Sequence, residues 1–343
     1  MTRKEISQHL ISIVIPAHNE AEGIRDSVRT IADSVSTAAN HWEIIVVDDG
    51  SGDDTFSRVC DISADDRRIK ALRFSRNFGK ESALLAGLEV SSGDAVITID
   101  ADLQHPPELI PEMMEKWRAG AQVVDAVKRS RDNDGLFVRL RASVFNSLLS
   151  RFSGIDVHDS SDFKLLDRVV VNAIINQLPE RRRFYRGLVD WVGYRHEKIP
   201  FDIESRALGE GKWSIWALVG LATTALVSFT STPLRIVTIL GLITLVFGFA
   251  VASEALWSLL HGQAVSGFAT MIFTLLLLGS FIMISLGIMG EYIAKIYDEI
   301  KARPAFLIME SVGFSSDAST SNRNEEQVCN SCGRPFYSQE SGR

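Results

Sequence analysis

Two long apolar runs near the carboxyl end constrain this chain more than any other feature of its sequence. Residues 236–253 and 263–290 contain no ionisable side chain. At about 1.5 Å per residue, each run is long enough to cross about 30 Å of hydrocarbon as a helix. Basic residues flank the pair on the outer sides and are absent from the connector near His261: Arg235, Lys295, Lys301 and Arg303. This pattern predicts two membrane spans with both termini in the cytoplasm.

The rest of the chain predicts where this protein resides. The first ten residues are polar, so we expect no secretory signal peptide, and the large amino-terminal part stays in the cytoplasm. The expected location is the cytoplasmic (inner) membrane. A net charge of −7 argues against nucleic acid as the main partner. Three cysteines are too few for a disulfide framework, and the pair Cys329 and Cys332 lacks the second ligand pair of a complete zinc site.

Short β-branched runs alternate with helical patterns in the first half, which predicts an α/β fold with a parallel-rich sheet. The predicted strands are residues 11–15, 43–47, 69–74, 95–99 and 122–127, with a later strand at 162–166. The predicted helices are residues 20–35, 53–62, 80–90 and 107–117. In such sheets ligands bind at the carboxyl ends of the strands.

The change in composition along the chain predicts five segments. They are an α/β domain at residues 1–211, an interfacial amphipathic helix at 212–232, membrane helices at 233–260 and 264–292, and a largely disordered cytoplasmic tail at 293–343. A third span at 213–232 is the alternative. It is disfavoured because crossing there would place Arg235 on the wrong side. After Pro304 the composition becomes rich in Ser, Asn and Gly, which predicts disorder.

Paired carboxylates follow the predicted strand at 95–99. Asp100 and Asp102 lie two residues apart, so both can reach one ion at the carboxyl edge of the sheet. Hard Mg²⁺ or Mn²⁺ suits carboxylate and phosphate oxygens, and it neutralises a leaving diphosphate. The alternative is that Asp102 only caps the following helix, which leaves Asp100 unexplained.

Two more polar clusters end the first and second strands. Asp49 lies in an Asp-Asp-Gly-Ser sequence and can accept hydrogen bonds from a base, although an ordinary Asp-Gly turn is the alternative. The segment 16–20 follows the first strand, and an ordinary loop explains it equally if it stands alone. Three such clusters at three strand ends together indicate a nucleotide site.

Basic residues near these ends are candidate phosphate ligands. Lys80 opens a helix whose free N–H groups attract anions. Lys128 and Arg131 follow the fifth strand and can clamp a diphosphate. The arginine cluster at 181–186 can face anionic lipid or a ligand phosphate. For each, a solvated surface charge is the alternative.

The ordered set of these stretches resembles the family 2 glycosyltransferases of the polyprenyl-phosphate type, which include dolichol-phosphate mannose synthase and the bactoprenol glucosyltransferases. The matching stretches are residues 16–20, 48–51, 76–80, 100–107, 128–131, 161–166 and 211–213, followed by the two spans. The resemblance covers roughly residues 10 to 305. Relatives often carry Asp where this chain has His105, and Gly where it has Ser161.

The resemblance implies a GT-A fold and inverting transfer of a sugar from a UDP- or GDP-sugar to a polyprenyl phosphate at the membrane. It implies donor contacts from Pro16, Ala17, Glu20, Asp49, Lys80, Asp100, Gln104, Lys128 and Arg131. It places Mg²⁺ or Mn²⁺ on Asp100 and Asp102, and it makes Asp102 and Asp162 catalytic. Arg206 and Lys212 become the candidates for the acceptor phosphate.

Other functions and substrates stay open at this point. A processive polysaccharide synthase needs more spans and a Gln-x-x-Arg-Trp signature, and a nucleotidyltransferase needs a glycine-rich loop after the first strand; the sequence has neither. A catalytically inactive sugar- or lipid-binding scaffold is the alternative from another class. Glucose from UDP-glucose is the first expectation, ahead of mannose from GDP-mannose, an N-acetylhexosamine or an aminoarabinose derivative. The sequence leaves the oligomeric state open, with a homo-oligomer among the options.

Overall fold

The structure is a computed structural model that describes residues 9–128, 160–178, 180, 184–201, 232–261 and 267–314. The chain forms two compact units. The first comprises residues 1–140, 155–210 and 304–343, and the second comprises residues 141–154 and 211–303.

The first unit is an α/β domain. Its strands are β1 (Leu10–Ala17), β2 (His41–Asp48), β3 (Ile69–Phe74), β4 (Ala95–Thr98), β5 (Val123–Lys128), β6 (Ser160–Asp167), β7 (His196–Phe201) and β8 (Ile308–Val312). Its helices are α1 (Ile24–Ala38), α2 (Thr55–Asp65), α3 (Lys80–Val90), α4 (Ile110–Arg118), α5 (Arg168–Asn176) and α6 (Tyr185–Trp191). A 3₁₀ turn at Pro107–Leu109 leads into α4.

All eight strands form one mixed sheet in the order β7-β5-β6-β4-β1-β2-β3-β8. β4, β1, β2 and β3 run parallel, as the alternation of strands and helices predicts. β6 runs antiparallel to both β4 and β5, and β8 runs antiparallel to β3. This is a GT-A-like arrangement, and it confirms the predicted fold class.

The central strands are buried on both faces, which explains why their sequences are nearly continuous apolar runs. Ile11, Ile13 and Ile15 of β1 belong to the core that α1, α2 and α4 cover, whereas Val14 faces the cluster formed with α3, α5 and α6. In α1 the buried residues recur at helical spacing: Ile24, Val28, Ile31 and Val35.

The segment after Pro304 differs from expectation. The predicted disorder is wrong for residues 308–312, which form β8 and pair with β3, with Arg73 opposite Glu310. Phe306 stacks on Phe74, with ring centroids 5.0 Å apart. The prediction from composition was wrong because it averaged this short apolar segment with the polar residues that follow it. The segment forms a strand because the edge of β3 offers it a pairing partner.

The second unit contains two long helices, α7 (Thr232–Leu260) and α8 (Phe268–Ile300), which contact each other. Both are long and apolar enough to cross a membrane, over Val237–Ser258 and Met271–Ile300. Their apolar side chains are exposed, including Phe249 at 76% and Leu275 at 71%. A core helix of a soluble protein would bury such side chains, so these exposed surfaces fit a hydrocarbon environment. The predicted interfacial helix at 212–232 lies outside the described residues, apart from Thr232.

Candidate active site

Polar residues from four strands meet at one edge of the sheet. β1, β2 and β4 are parallel, so the residues that end or follow them lie at this edge: Pro16, Ala17, Asp48, Asp49, Asp100 and Asp102. β6 is antiparallel to β4, with Lys164 opposite Thr98, and it brings Asp162 to the same edge. The sheet thus gathers carboxylates that are far apart in the sequence where α/β folds bind ligands.

Asp49 ties the end of β2 to the start of α3. Its carboxylate accepts hydrogen bonds from the backbone N–H groups of Phe78 (2.7 Å) and Gly79 (2.9 Å). Burial raises the pKa of this carboxyl group, against these two hydrogen bonds. Gly50 has a φ of +64°, and a Cβ there would lie 2.3 Å from the carbonyl carbon of Arg76. Glycine is therefore required for this close approach of two loops.

The segment after β1 is held against the loop after β2. The backbone N–H of Asn19 donates to Ser51 Oγ, and that of Glu20 donates to Thr55 Oγ1, each at 2.9 Å. Burial raises the pKa of Glu20, and the negative charges of Asp102, Asp53 and Asp100 raise it further. Negative charge is therefore concentrated at the carboxyl edge of the sheet.

Asp162 is the centre of a network of ion pairs. Its carboxylate accepts from Lys80 Nζ (2.5 Å) and from Arg186 Nε (2.6 Å) and Nη2 (3.0 Å). Lys80 Nζ also lies 2.6 Å from Asp100 Oδ1. Burial of Asp162 opposes its ionisation, but the Arg186 and Lys80 contacts outweigh burial and hold its pKa far below the usual range. Asp162 is therefore an ionised, firmly oriented group at neutral pH.

Arg186 belongs to this site, although the sequence alone did not predict which residue it contacts. It is the second residue of α6, and its guanidinium contacts Asp162 from a separate element. Tyr185 fixes this end of α6, because its hydroxyl hydrogen-bonds with Thr98 Oγ1 (2.9 Å) and its backbone N–H donates to Glu81 (2.7 Å). The signal in the sequence was the density of arginines at 181–186, which does not identify Arg186 as the partner of Asp162.

The donor atoms at Asp100 and Asp102 fit a hard divalent cation. Asp102 is exposed, and one of its oxygens accepts from the backbone N–H of Gln104 (3.1 Å). His105 is buried, with Nδ1 3.6 Å from Asp100 Oδ2 and its ring against Phe163 and Phe201. The pKa of Glu20 is raised mainly by burial and further by the nearby carboxylates of Asp102, Asp53 and Asp100, and a cation at Asp100 and Asp102 would offset part of this negative charge.

Comparison with known proteins identifies relatives that match most of this chain. Residues 12–177 match the model of glycosyl transferase family 2. An uncharacterized glycosyltransferase of Synechocystis sp. is 42% identical over 88% of this chain and 96% of its own length. A prophage bactoprenol glucosyl transferase homolog of Escherichia coli is 38% identical over 87% of this chain and 98% of its own. A bactoprenol glucosyl transferase of Shigella phage SfII is 38% identical over 88% and 98%.

The chain belongs to glycosyl transferase family 2. It is a glycosyltransferase, as the resemblance predicted, because it matches glycosyltransferases over nearly its whole length. Some predicted site residues of this glycosyltransferase are not tested by its structure. Lys128 is the last residue of β5, whereas Arg131, Arg206 and Lys212 lie outside the described residues.

A second group of potential metal ligands lies on the other side of β6. Asp125, Asp190 and His196 offer ligand atoms within 4.8 Å of one another. The ammonium group of Lys164, fully buried, contacts Asp125, and His196 Nδ1 lies 3.0 Å from the same carboxylate. The Lys164 ammonium neutralises Asp125, and the hydrogen bonds from His196 and Lys164 hold the pKa of Asp125 below the usual range despite burial. Asp100 is also paired with a lysine, Lys80 at 2.6 Å, whereas Asp102 is exposed and makes no salt bridge among the described residues. We therefore propose that Asp102, together with Asp100, holds the cation of this glycosyltransferase rather than this cluster.

Because the pKa of Glu81 differs from its usual value, we expect the stability of the protein to depend on pH. Burial, reinforced by the charge of Asp162, raises its pKa from 4.5 to about 7. An acid with a higher pKa in the folded chain binds extra protons there, so its contribution to stability is greatest below its unfolded pKa and falls as the pH rises through about 7. We expect Glu81→Gln to raise stability relative to wild type by about 1–3 kcal/mol at about pH 8, with little difference at about pH 5.

Thermal unfolding of the detergent-solubilised protein at both pH values measures this difference. Glu89→Gln, an exposed position on the same helix, is the matched control and should show no such dependence. A variant that is destabilised equally at both pH values would contradict the role of Glu81 ionisation.

Proposed function

We propose that this glycosyltransferase transfers glucose from UDP-glucose, with inversion, to the phosphate of a polyprenyl lipid at the cytoplasmic face of the membrane. The observation that carries the proposal is the 38% identity, over most of the chain, to proteins named bactoprenol glucosyl transferases. The two apolar helices support it, because a polyprenyl phosphate resides in a membrane.

The donor binds at the carboxyl edge in this proposal. Pro16, Ala17 and Glu20 line the nucleoside side, and Asp49 contacts the base. Both carboxylate oxygens of Asp49 already accept hydrogen bonds from backbone N–H groups, and these bonds fix the side chain. A hydrogen bond from the base would be made in addition to them. We propose that Gln104, Lys80, Lys128 and Arg131 bind the diphosphate, whose charge the lysine and arginine side chains match.

Asp100 and Asp102 would hold Mg²⁺ or Mn²⁺. A divalent cation bound there neutralises the charge that develops on the leaving diphosphate. In the reaction, an acceptor phosphate oxygen forms a bond to the anomeric carbon as the bond from that carbon to the diphosphate oxygen breaks. The electron pair of the broken bond leaves with the nucleoside diphosphate, and attack from the opposite face inverts the configuration.

The acceptor phosphate needs little help from a base. Its second pKa is about 6, so it is largely dianionic at neutral pH. Asp162, ionised and bound to Lys80 and Arg186, is suited to orient these two cations toward an incoming phosphate. We therefore propose that Asp162 acts in positioning the acceptor, and that proton removal is secondary. Arg206 and Lys212 are further candidates for contacts with the acceptor phosphate.

Transfer to extracted lipid tests the proposal directly. Membranes containing the protein are incubated with polyprenyl phosphate and one of radiolabelled UDP-glucose, UDP-N-acetylglucosamine or GDP-mannose, and the lipid is then extracted. Label from UDP-glucose alone is the expected result. Label from another donor would correct the sugar, and lipid without label from any donor, together with no release of nucleoside diphosphate, would favour an inactive scaffold.

The proposed topology places residues 213–232 on the cytoplasmic surface of the membrane without crossing it. We expect Arg206→Cys and Arg235→Cys, in a background without Cys329 and Cys332, to react with an impermeant thiol reagent only from the cytoplasmic side. His261→Cys, in the connector between the helices, is the control and should react only from the other side. Opposite labelling of positions 206 and 235 would show a third span.

A further inference from the structure

The strand that follows the second apolar helix in the chain carries a buried carboxylate. Glu310 of β8 is 6% exposed, and its Oε1 lies 3.1 Å from Arg73 Nη1 on β3. The two residues are direct cross-strand partners. A buried carboxylate is costly unless a cation neutralises it, so Arg73 accounts for the presence of the buried Glu310 in this edge strand.

Arg73 also holds the loop at the end of β2. It is the cross-strand partner of Asp48, with Nε 3.4 Å from Asp48 Oδ2, and its Nη2 donates to the backbone carbonyl of Ser51 (3.3 Å). Asp48 in turn accepts from the backbone N–H of Ser51 (3.0 Å) and from its hydroxyl. One guanidinium therefore connects Glu310 on β8 with both ends of the turn at 48–51.

This turn is connected to the rest of the proposed donor site. It contains Asp49, which binds the backbone at the start of α3, and Ser51 Oγ accepts from the backbone N–H of Asn19. A change in the direction of the Arg73 guanidinium therefore moves a turn that contacts two other loops. The buried Asp48 carboxylate would attract that guanidinium once Glu310 no longer shares it.

We propose that Glu310 is a positioning residue for the nucleotide half of the donor, acting through Arg73 on the turn at 48–51. The catalytic domain is then incomplete without β8, although this strand comes after both apolar helices in the sequence. The link from turn geometry to donor binding rests on the proposed function, whereas the link from Glu310 to the turn does not.

Glu310→Gln, Glu310→Asp and Glu197→Gln in the full chain test the inference. Glu310→Gln removes the charge at nearly constant volume, and Glu310→Asp keeps it. Glu197 is a half-exposed carboxylate on β7 that pairs with Lys116 (3.7 Å), so Glu197→Gln controls for the same chemical change elsewhere in the sheet. Hydrogen exchange of the backbone and steady-state transfer are both measured.

We expect Glu310→Gln to speed amide exchange in the turn at 48–51 while exchange in β6 stays unchanged. We expect its KM for the nucleotide-sugar to rise about tenfold, with kcat and the KM for the lipid unchanged, since a hydrogen bond between charged groups is being weakened. Glu310→Asp should recover most of both effects, and Glu197→Gln should show neither.

The two measurements separate the possible failures. Unchanged exchange in the turn, or faster exchange in β6 as well, would overturn the positioning role. Faster exchange in the turn with an unchanged donor KM would overturn the link to donor binding. A wild type that transfers no sugar would contradict the proposed function, and the exchange comparison would still decide whether Glu310 acts on the turn.

Discussion

Asp102→Asn is expected to abolish sugar transfer while leaving the thermal stability of the protein nearly unchanged. Asp102 is exposed, and among the described residues its carboxylate hydrogen-bonds only with the backbone N–H of Gln104, so it contributes little to stability. If it holds the cation that neutralises the leaving diphosphate, its loss raises the barrier by several kcal/mol, which lowers turnover about a thousandfold or more. Transfer of labelled sugar to lipid and a thermal melt measure the two quantities.

Asp94→Asn is the matched control for this experiment. Asp94 is an exposed carboxylate just before β4, at the opposite end of the same strand. Its replacement should leave turnover within a factor of about two, as surface substitutions usually do. Near-normal turnover of Asp102→Asn, or full activity of the wild type in excess chelator, would contradict the assignment of the cation to this residue.

Asp162→Asn is expected to slow transfer by about 100-fold, and by a similar factor from about pH 6 to about pH 9. The carboxylate organises Lys80 and Arg186, and a neutral amide holds neither cation as firmly. Its strongly lowered pKa makes it a poor proton acceptor at neutral pH, which favours positioning over base catalysis. The measurement is the pH profile of transfer by wild type and variant at saturating donor.

A general base would give a different profile. The deficit of the variant would then shrink steeply as the acceptor phosphate ionises without help, and this outcome would contradict the positioning role. Asp167→Asn is the control for the change of carboxylate to amide, because Asp167 ends the same strand and accepts from the backbone N–H of Val169 and from Trp117 Nε1 rather than from Lys80 or Arg186.

The same lowered pKa predicts the effect of Asp162 on stability. A carboxyl whose pKa is lower in the folded chain contributes stability above its unfolded pKa, and this is lost as the pH falls through the lower folded value. The Asp162→Asn variant should therefore unfold at a lower temperature than wild type at neutral pH. Lys80 and Arg186 are each about 40% exposed, so water solvates them in part when the Asp162 carboxylate is removed. The decrease in the free energy of unfolding should therefore be smaller than for a fully buried ion pair.

The local patterns of the sequence determined most of the elements. Strand β3 and helix α3 have the predicted bounds, β1 and β2 extend the predicted runs at both ends, and β5 is shifted by one residue from its predicted run. Strand and helix periods are local properties, and the end of an apolar run is visible without knowing its partners. For the same reason the sequence located Asp49, Asp100 and Asp102 after strands, and it located α7 and α8 as uncharged runs of the length that spans a membrane.

Strand pairing decided what the sequence left open. The antiparallel direction of β6 brings Asp162 beside Lys80, 82 residues away in the chain, and α6 directs Arg186 to the same carboxylate. The free edge of β3 turns a segment that resembles a disordered tail into β8, and Arg73 joins that strand to the turn at 48–51. These contacts depend on the order and direction of strands, which is set by the burial of the whole sheet and leaves no periodic trace in any one segment.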